Sequence, residues 1–114
     1  MANFDENVIG GVTVISVVGR LDVDAVEEVG TAMKNVAESP DVKLVLDLAE
    51  VSYMSSRGLS LLLELMHAAR EAGGALRLAA VQPLVNEVLE ISGARLLFNL
   101  DETVEEAVGA LNAG

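Results

Sequence analysis

The sequence predicts a single α/β domain over residues 1–114, a mixed β-sheet of about four to five strands packed with about four helices. Three observations carry that expectation. Runs of β-branched and aliphatic residues alternate with stretches whose apolar positions recur every three or four residues, as strands alternate with helices in α/β domains. The glycine pairs and both prolines, Pro40 and Pro83, fall at the seams between these stretches. Hydrophobic residues make up 52% of the chain and aromatic residues 3%, so the core is expected to be large and aliphatic.

The elements follow in order. Phe4 to Ile9 reads as a first strand, and Gly10-Gly11 as a two-residue hairpin turn that needs positive φ. Val12 to Val18 (VTVISVV) is β-branched almost throughout and reads as a second strand. Asp24 to Glu38 places Ala25, Val26, Val29, Ala32, Met33, Val36 and Ala37 on one helical face, with Asp22 or Asp24 as the cap. Val42 to Leu48 (VKLVLDL) is nearly continuous in apolar residues, as a strand covered on both faces should be. A second helix is expected from about Arg57 to Ala72, with Leu59, Leu62, Leu63, Met66 and Ala69 facing inward and Gly73-Gly74 ending it. Ala75 to Val81 reads as a strand, and Pro83 to Ser92 as a short helix resting on Leu84, Val85, Val88, Leu89 and Ile91. Leu96 to Leu100 is expected as a last strand, followed by a helix from Asp101 to Leu111 capped by Asp101. Whether helices cover one or both faces of the sheet is left open by the pattern.

Charge and composition narrow the function. The formal net charge is −11, from 18 acidic and 7 basic side chains. That balance opposes nucleic acid and anionic membrane surfaces as partners, since both are bound through clustered lysine and arginine. With no cysteine there is no disulfide, no thiolate nucleophile and no zinc–thiolate site. The beginning Met1-Ala2-Asn3-Phe4-Asp5-Glu6 lacks the features of a signal peptide. The apolar runs fall well short of the roughly 18–20 residues that span a bilayer. A cytoplasmic protein without direct membrane insertion is expected.

Catalytic chemistry finds little support. His67 is the only histidine and reads as a surface residue of the second helix. No glycine pattern matches a phosphate-binding loop, so no nucleotide cofactor or other cofactor is expected. Asp47 interrupts an apolar strand, but no acidic pair accompanies it to hold Mg²⁺, and a structural role bonded to nearby backbone fits better. Ser55 and Ser56 are different. They follow a buried strand and open a helix, where unpaired backbone N–H groups and the positive end of the helix dipole converge. One of them should cap that helix. Either could also carry a phosphate, which such a helix start tolerates well.

Three segments, taken in sequence, give the chain a resemblance to the STAS domain family, and within it to the bacterial anti-sigma factor antagonists. Val18-Gly19-Arg20-Leu21-Asp22 resembles the family's corner between strand and first helix. Leu44 to Met54 resembles its central strand and the turn after it, and Ser55-Ser56-Arg57-Gly58-Leu59 resembles its phosphorylation loop. The resemblance covers about residues 8–110. It implies a STAS fold and a non-enzymatic binding switch. The unphosphorylated protein would sequester a kinase-type anti-sigma factor and so free a sigma factor for transcription. The kinase would use ATP to phosphorylate the loop serine and end the interaction, and a PP2C-type phosphatase would reverse it. By position the acceptor is Ser56, with Ser55 as the alternative, and Asp22, Ser55, Ser56, Arg57 and Gly58 form the partner-binding surface. Ser55 stands where many phosphorylated relatives carry aspartate, and Arg57 is placed to pair with a phosphate on Ser56. The same fold would also suit a STAS scaffold, or an accessory subunit of a signalling assembly or membrane transporter, with no phospho-switch. Small-ligand binding in the strand-end loops is a further alternative.

Overall fold

Residues 3–113 of the chain are described by the computed structural model. The hairpin forms as its glycines require: β1 (Asn3–Ile9) and β2 (Val12–Leu21) pair antiparallel across Gly10 and Gly11, whose φ values are +58° and +79°. Helix α1 (Val23–Ala37) follows, then β3 (Lys43–Met54), α2 (Ser56–Glu71), β4 (Ala75–Ala79) and α3 (Pro83–Ile91). A 3-10 turn (Ala94–Leu97), the two-residue strand β5 (Leu100–Asp101) and α4 (Val104–Ala113) complete the chain. The sheet runs β1-β2-β3-β4-β5, with only the β1–β2 pairing antiparallel, so the mixed α/β architecture is as expected.

Helices cover both faces, unequally. Helices α1, α2 and α3 bury one face of the sheet around Ile15, Leu46, Leu62, Leu65 and Leu89. Helix α4 alone covers part of the other, packing Ala107 and Val108 on Val12, Val14, Val45 and Ala79. No buried polar side-chain atom lacks a hydrogen-bond partner among the described residues. Asp47 shows how: it accepts from Ser16 Oγ at 3.0 Å and from the backbone N–H of Ala49 at 3.1 Å. That is the structural role expected of it.

Strands β2 and β3 run further than the sequence pattern indicates, to Leu21 and Met54 instead of Val18 and Leu48. The cause is a pair of register shifts. Ser16 and Val18 pair with Asp47 and Glu50, and Gly19 and Arg20 pair with Val51 and Tyr53, so β3 carries one extra residue at each shift. These bulges turn the three-residue spacing of Leu48, Val51 and Met54 into successive inward-facing, buried positions. Period-two alternation breaks there, yet pairing continues to the strand ends.

Other expectations need correction. The inner face of α2 is Leu61, Leu62, Leu65, Met66 and Ala69, whereas Leu59 and Leu63 are only partly buried at its margins. In α3, Val85 and Leu89 are buried but Leu84 and Ile91 face solvent. The run Leu96 to Leu100 is not a strand: the 3-10 turn occupies its start, Leu96 is 91% exposed, and Phe98 supplies the burial. Asp101 does not cap α4. Its carboxylate is held by Arg77 through contacts of 2.7 and 3.3 Å, and Thr103 caps the helix by accepting from Glu106 N–H at 3.1 Å.

Candidate functional site

Parallel strands β2 and β3 end side by side, with Leu21 opposite Met54, and each feeds directly into a helix. Two helix N-termini therefore lie together at the carboxyl edge of the sheet, the usual location of functional loops in such folds. Each is capped by its own residue. Asp22 Oδ1 accepts from Ala25 N–H at 3.0 Å, which identifies Asp22 rather than Asp24 as the cap of α1. This bond, aided by Arg20, holds the Asp22 carboxyl below its ordinary value.

Ser55 caps α2. Its hydroxyl oxygen accepts from Gly58 N–H at 3.3 Å, and the same hydroxyl donates to the carbonyl of Leu21 at 3.3 Å. The backbone N–H of Ser55 donates to that carbonyl as well, at 2.9 Å. Leu21 thus ties the end of one strand to the start of the other strand's helix. Gly58 makes the tie possible. It is buried beneath the loop, and a methyl group on it would overlap the Leu21 carbonyl oxygen and press on Met54 Cγ at 3.0 Å. No positive φ is involved; close approach alone demands glycine here.

Ser56 is the first residue of α2, and it is exposed. Its side chain takes no part in the cap, so the two serines have different environments: Ser55 is half-buried and engaged, Ser56 faces outward. Arg57 is exposed too, but its guanidinium turns along the helix to Glu64, with Nη1 3.0 Å from Oε2. The other oxygen of Glu64 meets Lys34 Nζ of α1 at 3.3 Å. The bond from Arg57, together with that from Lys34, draws the Glu64 carboxyl below its ordinary value.

The surface around these residues includes several that the sequence did not single out. The Arg20 guanidinium lies 4.2 Å from the ring centre of Tyr53, its pairing partner across the strands, and its Nε is 3.7 Å from Asp22 Oδ2. Val23, the first residue of α1, is an apolar side chain 54% exposed. Arg20 and Tyr53 lie in the segments already noted, but only the bulged register places them together. Of the candidate residues, Asp22, Ser55, Ser56 and Arg57 share this edge, while Gly58 shapes it from below. His67 is exposed on α2, at an open groove of about 490 Å³ lined by Lys34, Glu38, Glu64, His67 and Glu71. Among the described residues, no group of three or more His, Cys, Asp or Glu side chains is arranged to hold a metal ion. Among the described residues, no helix is long and apolar enough to cross a membrane.

Comparison with known proteins follows the same outline. A sequence model of the STAS domain matches residues 3–107. A curated protein of Bordetella bronchiseptica named "Putative anti-sigma factor antagonist BtrV" is 29% identical over 102 residues, covering 90% of this chain and 88% of that protein. The crystal structure of an anti-sigma factor antagonist from Mycobacterium paratuberculosis superposes with a TM-score of 0.86 at 26% identity, covering 98% of this chain and 95% of the other. An anti-sigma-factor antagonist (STAS) domain protein of Planctomyces limnophilus shares the fold with a TM-score of 0.86 at 22% identity, covering 96% and 97%.

Proposed function

The chain belongs to the STAS domain family, and from that premise we propose that it is an anti-sigma factor antagonist switched by phosphorylation of Ser56. In its unphosphorylated form it binds a kinase-type anti-sigma factor and thereby frees a sigma factor. The names of its relatives in Bordetella and Mycobacterium support the binding role. One observation carries the choice of residue: Ser55 Oγ is committed to capping α2 and to the Leu21 carbonyl, while Ser56 stands exposed beside it. A kinase reaching Ser55 would have to take that hydroxyl out of two hydrogen bonds. Ser56 needs no such rearrangement.

The chemistry is phosphoryl transfer from ATP. Ser56 Oγ forms a bond to the γ-phosphorus, the bond to the leaving ADP oxygen breaks, and the hydroxyl proton passes to a base on the kinase. The phosphate then brings about −1.5 to −2 charges to an edge that had packed against the partner. Desolvating that charge opposes docking, and the pair separates. Hydrolysis by a PP2C-type phosphatase restores the hydroxyl. Asp22, Arg20, Tyr53 and Val23 supply the rest of the contact surface in this account. Calorimetric titration with the kinase-type anti-sigma factor tests it: Ser56→Ala should bind as the wild type does, and Ser56→Asp at least about tenfold more weakly. Equal binding of all three would sink the switch and favour a constitutive scaffold.

A further inference from the structure

We propose that Glu64 holds Arg57 in reserve, and that phosphorylated Ser56 takes the Arg57 guanidinium from it, leaving Glu64 to Lys34 alone. The proposal rests on the reading of Ser56 above and extends it, by giving the phosphate a counter-ion within the chain and a consequence two helical turns away.

Geometry, direction and charge all favour the exchange. Arg57 follows Ser56 in the first turn of α2, yet its guanidinium lies against Glu64, seven residues further along. Helical side chains lean toward the N-terminus, so a reach of roughly 10 Å toward the C-terminus runs against the ordinary direction. Turning back toward Ser56 restores it. Adjacent positions on a helix do not face one another, but Ser56 is the terminal residue and a side chain as long as arginine's spans the gap. The present pair is also weakly held, since the two side chains are 45% and 38% exposed. A phosphate carries more charge than a carboxylate and accepts the guanidinium fork bidentately. The positive end of α2 adds to the attraction at that spot and offers nothing to Glu64. Arg20, the other cation of this edge, is already stacked on Tyr53 and near Asp22.

Departure of Arg57 alters the groove between α1 and α2. Glu64 now bridges two cations, Arg57 and Lys34. With only Lys34 left, the groove lined by Glu38, Glu64, His67 and Glu71 becomes more negative by one charge. Phosphorylation at the loop is thereby felt along the flank of the helix pair. Arg57 and Glu64 are positioning residues in this scheme, and neither reacts.

The test needs no kinase. Phosphoserine is installed at position 56 during translation, and the phosphate is titrated by phosphorus NMR while the Glu64 carboxyl is followed by carbon NMR. The second ionisation of a phosphoserine lies near pH 6. It should rise by roughly half a unit to one unit in Arg57→Ala, because an adjacent cation favours the dianion. Arg57→Lys should recover part of the shift, and Arg20→Ala should leave the wild-type value. Glu64 should titrate at higher pH in the phosphorylated protein than in the unmodified one. An Arg57→Ala variant with an unmoved phosphate, a shift produced by Arg20→Ala instead, or a Glu64 that titrates alike in both forms overturns the exchange. Because the phosphate is placed without a kinase, refusal of the chain by its kinase would defeat the switch reading and leave these shifts readable.

Discussion

Replacing each serine of the loop by alanine separates their roles. Ser55→Ala removes the acceptor for Gly58 N–H, a donor in a buried turn, and a donor to Leu21 O. The second loss is minor, because Leu21 O keeps the 2.9 Å bond from Ser55 N–H, so no acceptor is orphaned. What remains is a lost helix cap, which costs about 0.5–2 kcal/mol in general. Both hydroxyl contacts are 3.3 Å long, so a cost of about 1 kcal/mol is expected. In a domain of this size that corresponds to a fall of roughly 4 °C in Tm. Ser56→Ala removes an outward-facing hydroxyl from a helical position and should stay within about 0.5 kcal/mol of wild type. Urea unfolding followed by far-UV circular dichroism measures both, with the slope m checked for constancy. Equal destabilisation by the two variants, or a larger effect at Ser56, would refute the assignment of Ser55 as the cap.

Three further outcomes are expected. Gly58→Ala forces a methyl against the Leu21 carbonyl and Met54, so unfolding experiments should show a loss of about 1–3 kcal/mol, exceeding that of Ser55→Ala. Asp101→Ala leaves Arg77 without its partly buried carboxylate and should cost about 1–3 kcal/mol in the same assay, whereas Leu96→Ala should be nearly neutral. Asp22 and Glu64 both titrate below their ordinary values, so each adds stability that is complete above that value and disappears as the pH falls through the lowered one. Stability should therefore decline as the pH drops past about 4.5 for Glu64 and 3.8 for Asp22, and Glu64→Gln should lack the first part of that decline in acid titrations of folding.

Much of this was legible in residue pattern because local and tertiary preferences agree. Gly10-Gly11 dictates the hairpin, and the spacing from Ala25 to Ala37 defines α1, whose cap falls on one of the two aspartates proposed for it. Two of the misreadings depended on a residue's distant partner. Leu59, Leu61, Leu62, Leu63 and Leu65 spread the apolar arc of α2 over rather more than half its circumference, so packing on α1 and the sheet decides which part of that arc turns fully inward. Asp101 has the chemistry of a cap, but Arg77, 24 residues earlier, claims it. The short apolar run Leu96 to Leu100 fits a strand or a turn equally well. At the site, the sequence marked both serines as helix-start residues. Which one caps was settled by the bulges that carry β3 to Met54 and set Ser55 against Leu21. The same bulges bring Arg20 over Tyr53, a contact with no local signature.

The most direct test is to incubate the protein with the kinase-type anti-sigma factor proposed as its partner and ATP, and to locate the phosphate by peptide mass spectrometry. A single phosphate on Ser56 is expected, unchanged in Ser55→Ala and absent in Ser56→Ala. Phosphate on Ser55, or on neither serine, would contradict the proposed switch.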